Sequence, residues 1–223
     1  STSIDILTNK NTFNKFKDRF HEKLNSLNIE KSSIKKMREL ILNYEINNDK
    51  DLMLFSKAII EIVIKKSIKS KGIYKLLWNN NDDRPFKEPE AQPLLYSLLD
   101  TFFEIKGIQL SKEPELANGK LDFNCSYTNK RGDIVRTCIE VKNAHHDKLI
   151  DGLITQLPLY MEASNTESGI FLVLWYKGNN FNFPKYETIE ELEKTLLSKI
   201  PQNKNIEIII IDCSKQTAPS KIK

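Results

Sequence analysis

The sequence predicts an α/β protein: a mixed β-sheet flanked by helices, preceded by an all-helical N-terminal region. Three observations lead there. Two strongly apolar runs, 169–176 and 206–211 (the latter broken only by Glu207), have the length of buried strands and fall well short of a membrane span. Two shorter segments alternate with period two, Leu121-Asp122-Phe123 and Ile139-Glu140-Val141-Lys142. Between these strands, and alone within residues 1–80, apolar residues recur at helical spacing. Strands separated by helices predict a sheet with helices packed on it.

Composition sets the class. The chain has 223 residues, 39% apolar and 29% charged, enough for one sizeable core with a helical extension. The first residues are polar and charged and show no signal-peptide pattern. Three cysteines, Cys125, Cys138 and Cys213, lack metal-type spacing, and two fall in expected strands. Buried reduced thiols in a cytoplasmic protein are the expectation, with no membrane contact. With only His21, His145 and His146 as histidines, no Cys/His zinc pattern arises. No glycine has P-loop context. The net charge of +4 is unevenly spread: residues 1–80 hold 16 Lys+Arg against 9 Asp+Glu, and the remainder 18 against 21. The basic extension is expected to touch nucleic acid or a protein partner, although lysines on helices ordinarily just face solvent.

Taken in order, Phe13, Phe16, Phe20 and Leu24 predict a helix over 11–27. Ser32 and Ser33 are candidate N-caps for a second helix carrying Ile34, Met37, Leu40 and Ile41 on one face. A third helix is expected over 52–69, punctuated by Gly72. Residues 79–85, Asn-Asn-Asn-Asp-Asp-Arg-Pro, read as a linker, giving domains 1–80 and 81–223. A helix then opens near Phe86 and runs to about Glu104. Its prolines fall near the start, where N–H groups lack intrahelical partners. Its apolar stripe places Glu88 and Gln92 inward and Glu90 toward solvent, provided the helix reaches back to Glu88. Expected next are a strand over 108–112, the Asp122 strand, a turn at Arg131-Gly132-Asp133 and the Glu140 strand. A helix over 147–162, the strand 169–176, a helix over 188–198 and the strand 206–212 complete the chain.

Asp122, then Glu140-Val141-Lys142 after fewer than twenty residues, resembles the motif of the PD-(D/E)XK nuclease superfamily. Gln156-Leu157-Pro158-Leu159-Tyr160 on the following helix resembles the Gln-x-x-x-Tyr motif of its RecB-like branch. Gln156 and Tyr160 stand one helical turn apart on one face. The resemblance covers about residues 86–176; Leu121 stands where the family's name expects proline. It implies a restriction-endonuclease-like fold and a metal-dependent endonuclease acting on DNA, plausible in restriction or anti-phage defence. It further implies Mg²⁺ or Mn²⁺ held by Asp122, Glu140, Glu88 and the carbonyl of Val141. Lys142 would orient water or stabilise the phosphorus, and Gln156 and Tyr160 would complete the site. Hard cations take such oxygen donors. Each part also has a bland reading: Glu-x-Lys as a cross-strand ion pair, Gln156 and Tyr160 as a packing face, His145 and His146 as turn residues. The alternatives are a catalytically inactive nuclease-fold scaffold subunit and a ribonuclease. A homo-oligomer is open.

Overall fold

A computed structural model describes residues 31–66, 68, 72–79, 84–112, 121–178 and 184–215. The chain divides into two units, Ser1–Tyr44 and Glu45–Lys223. The helix expected over 11–27 lies outside the described residues. Of the first unit, helix α1 (Lys31–Asn43) is described. Ser32 and Ser33 lie within it rather than ahead of it. Met37 and Ile41 form its buried edge.

The second unit begins with α2 (Asp49–Ile59), capped by the Asn48 side chain, which accepts from the Asp51 N–H at 2.9 Å. A widened π-type turn, Ile60–Lys65, continues it. A short 3₁₀ turn, Ile73–Leu77, precedes strand β1 (Trp78–Asn79), which pairs antiparallel with β2 (Arg84–Pro85). Helix α3 (Glu88–Lys106) follows and stops at Gly107, whose φ of 81° is left-handed backbone that glycine adopts without strain. Strands β3 (Gln109–Ser111), β4 (Phe123–Thr128) and β5 (Ile134–Asn143) form an antiparallel meander. A crossover of α4 (Leu149–Asp151), a second π-type turn (Gly152–Gln156) and α5 (Leu157–Ala163) leads to β6 (Ser168–Trp175). Helix α6 (Ile189–Leu197) and β7 (Asn205–Asp212) complete the unit.

Among the described residues the main sheet has the order β3-β4-β5-β6-β7, antiparallel through β5 and parallel from β5 to β7. The mixed α/β architecture is therefore the expected one. Every residue of β6 is buried, as a central strand covered on both faces requires. On one face Phe171, Val173, Ile208 and Ile210 meet Leu153, Leu157, Met161, Leu192 and Leu196 from the crossover and α6. On the other, α2 lies against β5, β6 and β7.

Residues 45–79 therefore sit within the unit that holds the sheet, and the boundary between units falls after Tyr44 instead of near residue 80. Of the segment expected to be a linker, Asn79 pairs with Arg84 and Pro85 with Trp78, and residues 80–83 lie outside the described residues. The reason lies in Asp49. Its carboxylate accepts from the Arg136 N–H at 2.8 Å and from the Thr166 hydroxyl at 2.6 Å, tying the start of α2 to β5 and to the approach of β6. Asp49→Ala leaves the Arg136 N–H without its acceptor and breaks the link to Thr166, whose hydroxyl keeps only the Arg136 carbonyl at 2.8 Å. A loss of about 2 kcal/mol is expected, which at this size lowers Tm by about 4–8 °C. Thermal unfolding followed by circular dichroism checks this; an unchanged Tm would show that the tie contributes nothing.

Candidate active site

The geometry of the site follows from a difference in strand length. Phe123, the first residue of β4, pairs with Ile139, so residues 140–143 of β5 run past the end of their neighbour. Val141 and Asn143 turn their N–H groups to that vacated edge, where no strand receives them. Two carboxylates do. Asp122 Oδ2 accepts from Val141 N at 2.6 Å, and Glu88 Oε1 accepts from Asn143 N at 2.8 Å. In a strand the carbonyl of a residue points to the same side as its N–H. The Val141 carbonyl is thereby directed to the edge occupied by these acids. Gln92, one turn after Glu88 on α3, donates to the second oxygen of Asp122. Asn143 also donates its side-chain amide to the Phe86 carbonyl at 3.0 Å, fastening the N-terminus of α3 to the end of β5.

Glu140 and Lys142 alternate onto the face covered by the crossover helix, since Glu140 is registered with Phe171 and Lys142 with Val173. The Lys142 ammonium donates to Glu140 Oε1. Glu140 is 1% exposed, and its other oxygen, Oε2, is buried without a hydrogen-bond partner. Burial is the main influence on all these groups. It raises Asp122 to about 6, against the lowering effect of the Val141 N–H and of Lys142. Burial, and then the charge of Asp122, raises Glu140 to about 8 although Lys142 opposes this. For Lys142 burial acts downward, but Glu140, Asp122 and Glu88 together outweigh it and the ammonium is raised. Three carboxylates thus surround one ammonium in a poorly solvated place.

The structure brings together Glu88, Asp122, Glu140, Lys142 and the backbone of Val141. Glu88 is the inward acid of α3, whereas Glu90 is exposed and accepts from the Lys87 N–H of its own helix turn at 2.8 Å. Asp122 stands one residue ahead of β4 rather than within a strand, its carboxylate serving the ladder in place of backbone. Gln156 donates to Asp151 on its own helix at 3.2 Å. Tyr160 lies in the apolar layer with Leu157 and Met161, its carbonyl accepting from the Cys138 thiol. The lysine and the three acids form one group; Gln156 and Tyr160 stand on the crossover helix behind it. His146 faces Glu88 Oε2 at 4.0 Å, and its Nδ1 accepts from the Lys148 N–H at 2.9 Å, which leaves the proton of the neutral ring on Nε2, toward Glu88. Burial lowers His145.

Sequence reasoning did not assign roles to Gln92 or Asn143. The signals were available: Gln92 shares the inward face with Glu88, and an amide directly after Glu-x-Lys marks the strand end. Among the described residues no group of three or more His, Cys, Asp and Glu is arranged to hold a metal ion. Both Asp122 oxygens, Glu88 Oε1 and Glu140 Oε1 accept from protein donors, and Glu140 Oε2 has none.

Residues 52–178 match the family described as DUF8371, a domain of unknown function. The chain belongs to the DUF8371 family. No curated protein and no solved structure matches it. The DUF8371 segment opens inside α2 and closes just past β6, so it contains all three acids, Lys142 and the helix that covers them. Helix α6 and β7 lie beyond it. Among the described residues no helix of this DUF8371 chain is long and apolar enough to cross a membrane.

Proposed function

We propose that this chain is a metal-dependent deoxyribonuclease with a restriction-endonuclease-like fold of the RecB-like kind. The observation that carries the reading is the imbalance of buried charge: three carboxylates around one ammonium, with Glu140 Oε2 lacking any hydrogen-bond partner. A divalent cation would satisfy that oxygen and offset the burial that raises Asp122 and Glu140. The donors fit Mg²⁺ or Mn²⁺ by chemistry, being carboxylate oxygens from Asp122, Glu140 and Glu88 with the Val141 carbonyl beside them. Bound there, such an ion supplies charge neutralisation for a phosphoryl group and lowers the pKa of water.

The protein's own contribution is positional. Asp122 and Glu88 are fixed by backbone N–H groups, so neither must reorganise to hold a cation. Lys142 stays protonated at neutral pH and supplies positive charge for the phosphorus or orients the attacking water. Gln156 and Tyr160 belong to this reading through their place on the crossover helix. A role in restriction or anti-phage defence, and a regulatory, DNA-binding or partner-binding role for the N-terminal region, follow from the resemblance and the charge distribution.

One observation favours a second reading, an inactive nuclease-fold scaffold. Asp122 and Glu88 each complete the β5 ladder, a structural task that needs no catalysis. Glu140 and Lys142 have no such task, and on them the nuclease reading rests. Plasmid, linear DNA and RNA incubated with Mg²⁺ or Mn²⁺ test it. Cleavage of DNA that EDTA abolishes is the expected result. Metal-dependent cutting of RNA alone would make the chain a ribonuclease, and no cutting of either would leave the scaffold reading.

A further inference from the structure

We propose that Gly152 is a positioning residue for Lys142: bare backbone at this point lets the lysine stem pass beneath the crossover helix and set its ammonium on Glu140. The consequence for catalysis rests on the nuclease reading; the positioning itself does not.

Gly152 is buried at the start of the π-type turn Gly152–Gln156. A glycine within a helix weakens it relative to alanine, so its presence calls for a reason. Backbone conformation is not that reason, because its φ of −54° is ordinary helical geometry open to any residue. Space is. A Cβ added to Gly152 would lie 3.0 Å from Lys142 Cε, 3.2 Å from Lys142 Cγ and 3.2 Å from Phe171 Cε2. Contact at both Cγ and Cε means that the stem cannot give way by swinging its tip alone. Phe171, registered beside Glu140, closes the other side. A methyl there would press the lysine stem away from the crossover helix by a few tenths of an ångström, enough to disturb its seat on Glu140. Gly169 offers a comparison: the atoms nearest a Cβ there belong to Met161 and Leu157, both apolar.

Two measurements on the full chain test this without any assay of activity. A buried ammonium held on a carboxylate exchanges slowly with water, so Lys142 Nζ should give an observable ¹H–¹⁵N resonance near neutral pH, assigned by its loss in Lys142→Ala. Gly152→Ala should abolish or shift that resonance while the backbone amide spectrum stays essentially unchanged. In the second measurement, Gly152→Ala should lower Tm by a few degrees in the parent chain. In a Lys142→Ala background it should leave Tm unchanged or raise it, because the stem is gone and alanine is the better helix former. A retained resonance at its original position would overturn the proposal. So would an equal loss of Tm in both backgrounds, which would assign the cost to Phe171. If the parent cleaves DNA, kcat should fall about tenfold or more with KM little changed. A parent that cleaves nothing ends the nuclease reading and leaves the outcome of these two measurements intact.

Discussion

Replacing Glu140 by Gln is expected to lower metal-dependent cleavage by about 10³-fold while the protein remains folded and, at pH 8, becomes more stable. The two effects have one source. Glu140 is held almost out of water, beside Asp122, with only Lys142 to offset its charge. In the metal-free protein that charge is a burden, and the isosteric amide removes it while still offering Lys142 an oxygen. In the proposed reaction the same charge would draw a cation into the site. A residue kept for stability should show the reverse pattern, with stability falling and any activity falling only in proportion to unfolding. Cleavage rates of plasmid with Mn²⁺, set beside thermal unfolding of the same two proteins at pH 8, decide the matter. Retained cleavage in Glu140→Gln would remove this residue from the machinery.

The second large effect is a pH dependence opposite to that of a chain stabilised by ion-paired acids. Folding raises Asp122 from 3.8 to about 6 and Glu140 from 4.5 to about 8. Between those limits the native state holds more protons than the unfolded chain, so stability declines as pH rises. The contribution is fully present below about pH 4 and is lost progressively as pH climbs through 6 and then 8. Because the acids interact through their charges, the two protons leave in coupled steps. Tm of metal-free protein should therefore fall from pH 5 to pH 8. Glu140→Gln should flatten the slope, and Mg²⁺ should raise Tm more at pH 8 than at pH 6. A parent Tm that is level or rising across this window would contradict the burial of these two charges.

Much of this fold was legible because strong patterns carry it. The alternation around Glu140 and the apolar run of β6 mark the sheet, and the stripe Leu95, Leu99, Phe102 and Phe103 marks α3. Helical angles favoured Glu88 over Glu90 only if the helix reached back that far, and it begins at Glu88. What escaped were features without a period. The helices expected over 52–69 and 147–162 contain π-type turns, which insert a residue and leave the apolar pattern readable as a single helix. Asp122 alternates with Leu121 and Phe123 as a strand residue would, yet its carboxylate ends the ladder instead of extending it. Asn-rich composition at 79–85 suggested a hinge between domains, whereas strand pairing and the grip of Asp49 on β5 and Thr166 are decided by tertiary contacts that composition does not encode.

The overhang of β5 bears on aggregation as well as on chemistry. Unpaired N–H groups along an apolar strand are a template on which another chain can add a strand, and proteins blunt such edges with charge. Asp122 and Glu88 do this at Val141 and Asn143, occupying the donors and presenting negative charge to any approaching strand. Alanine at either position would bare a sticky edge, so an inactive variant made there could be lost to insolubility and mistaken for a catalytic defect. Glu140 lies on the face of the sheet rather than at its edge, and a silent but soluble reference protein is better made from it.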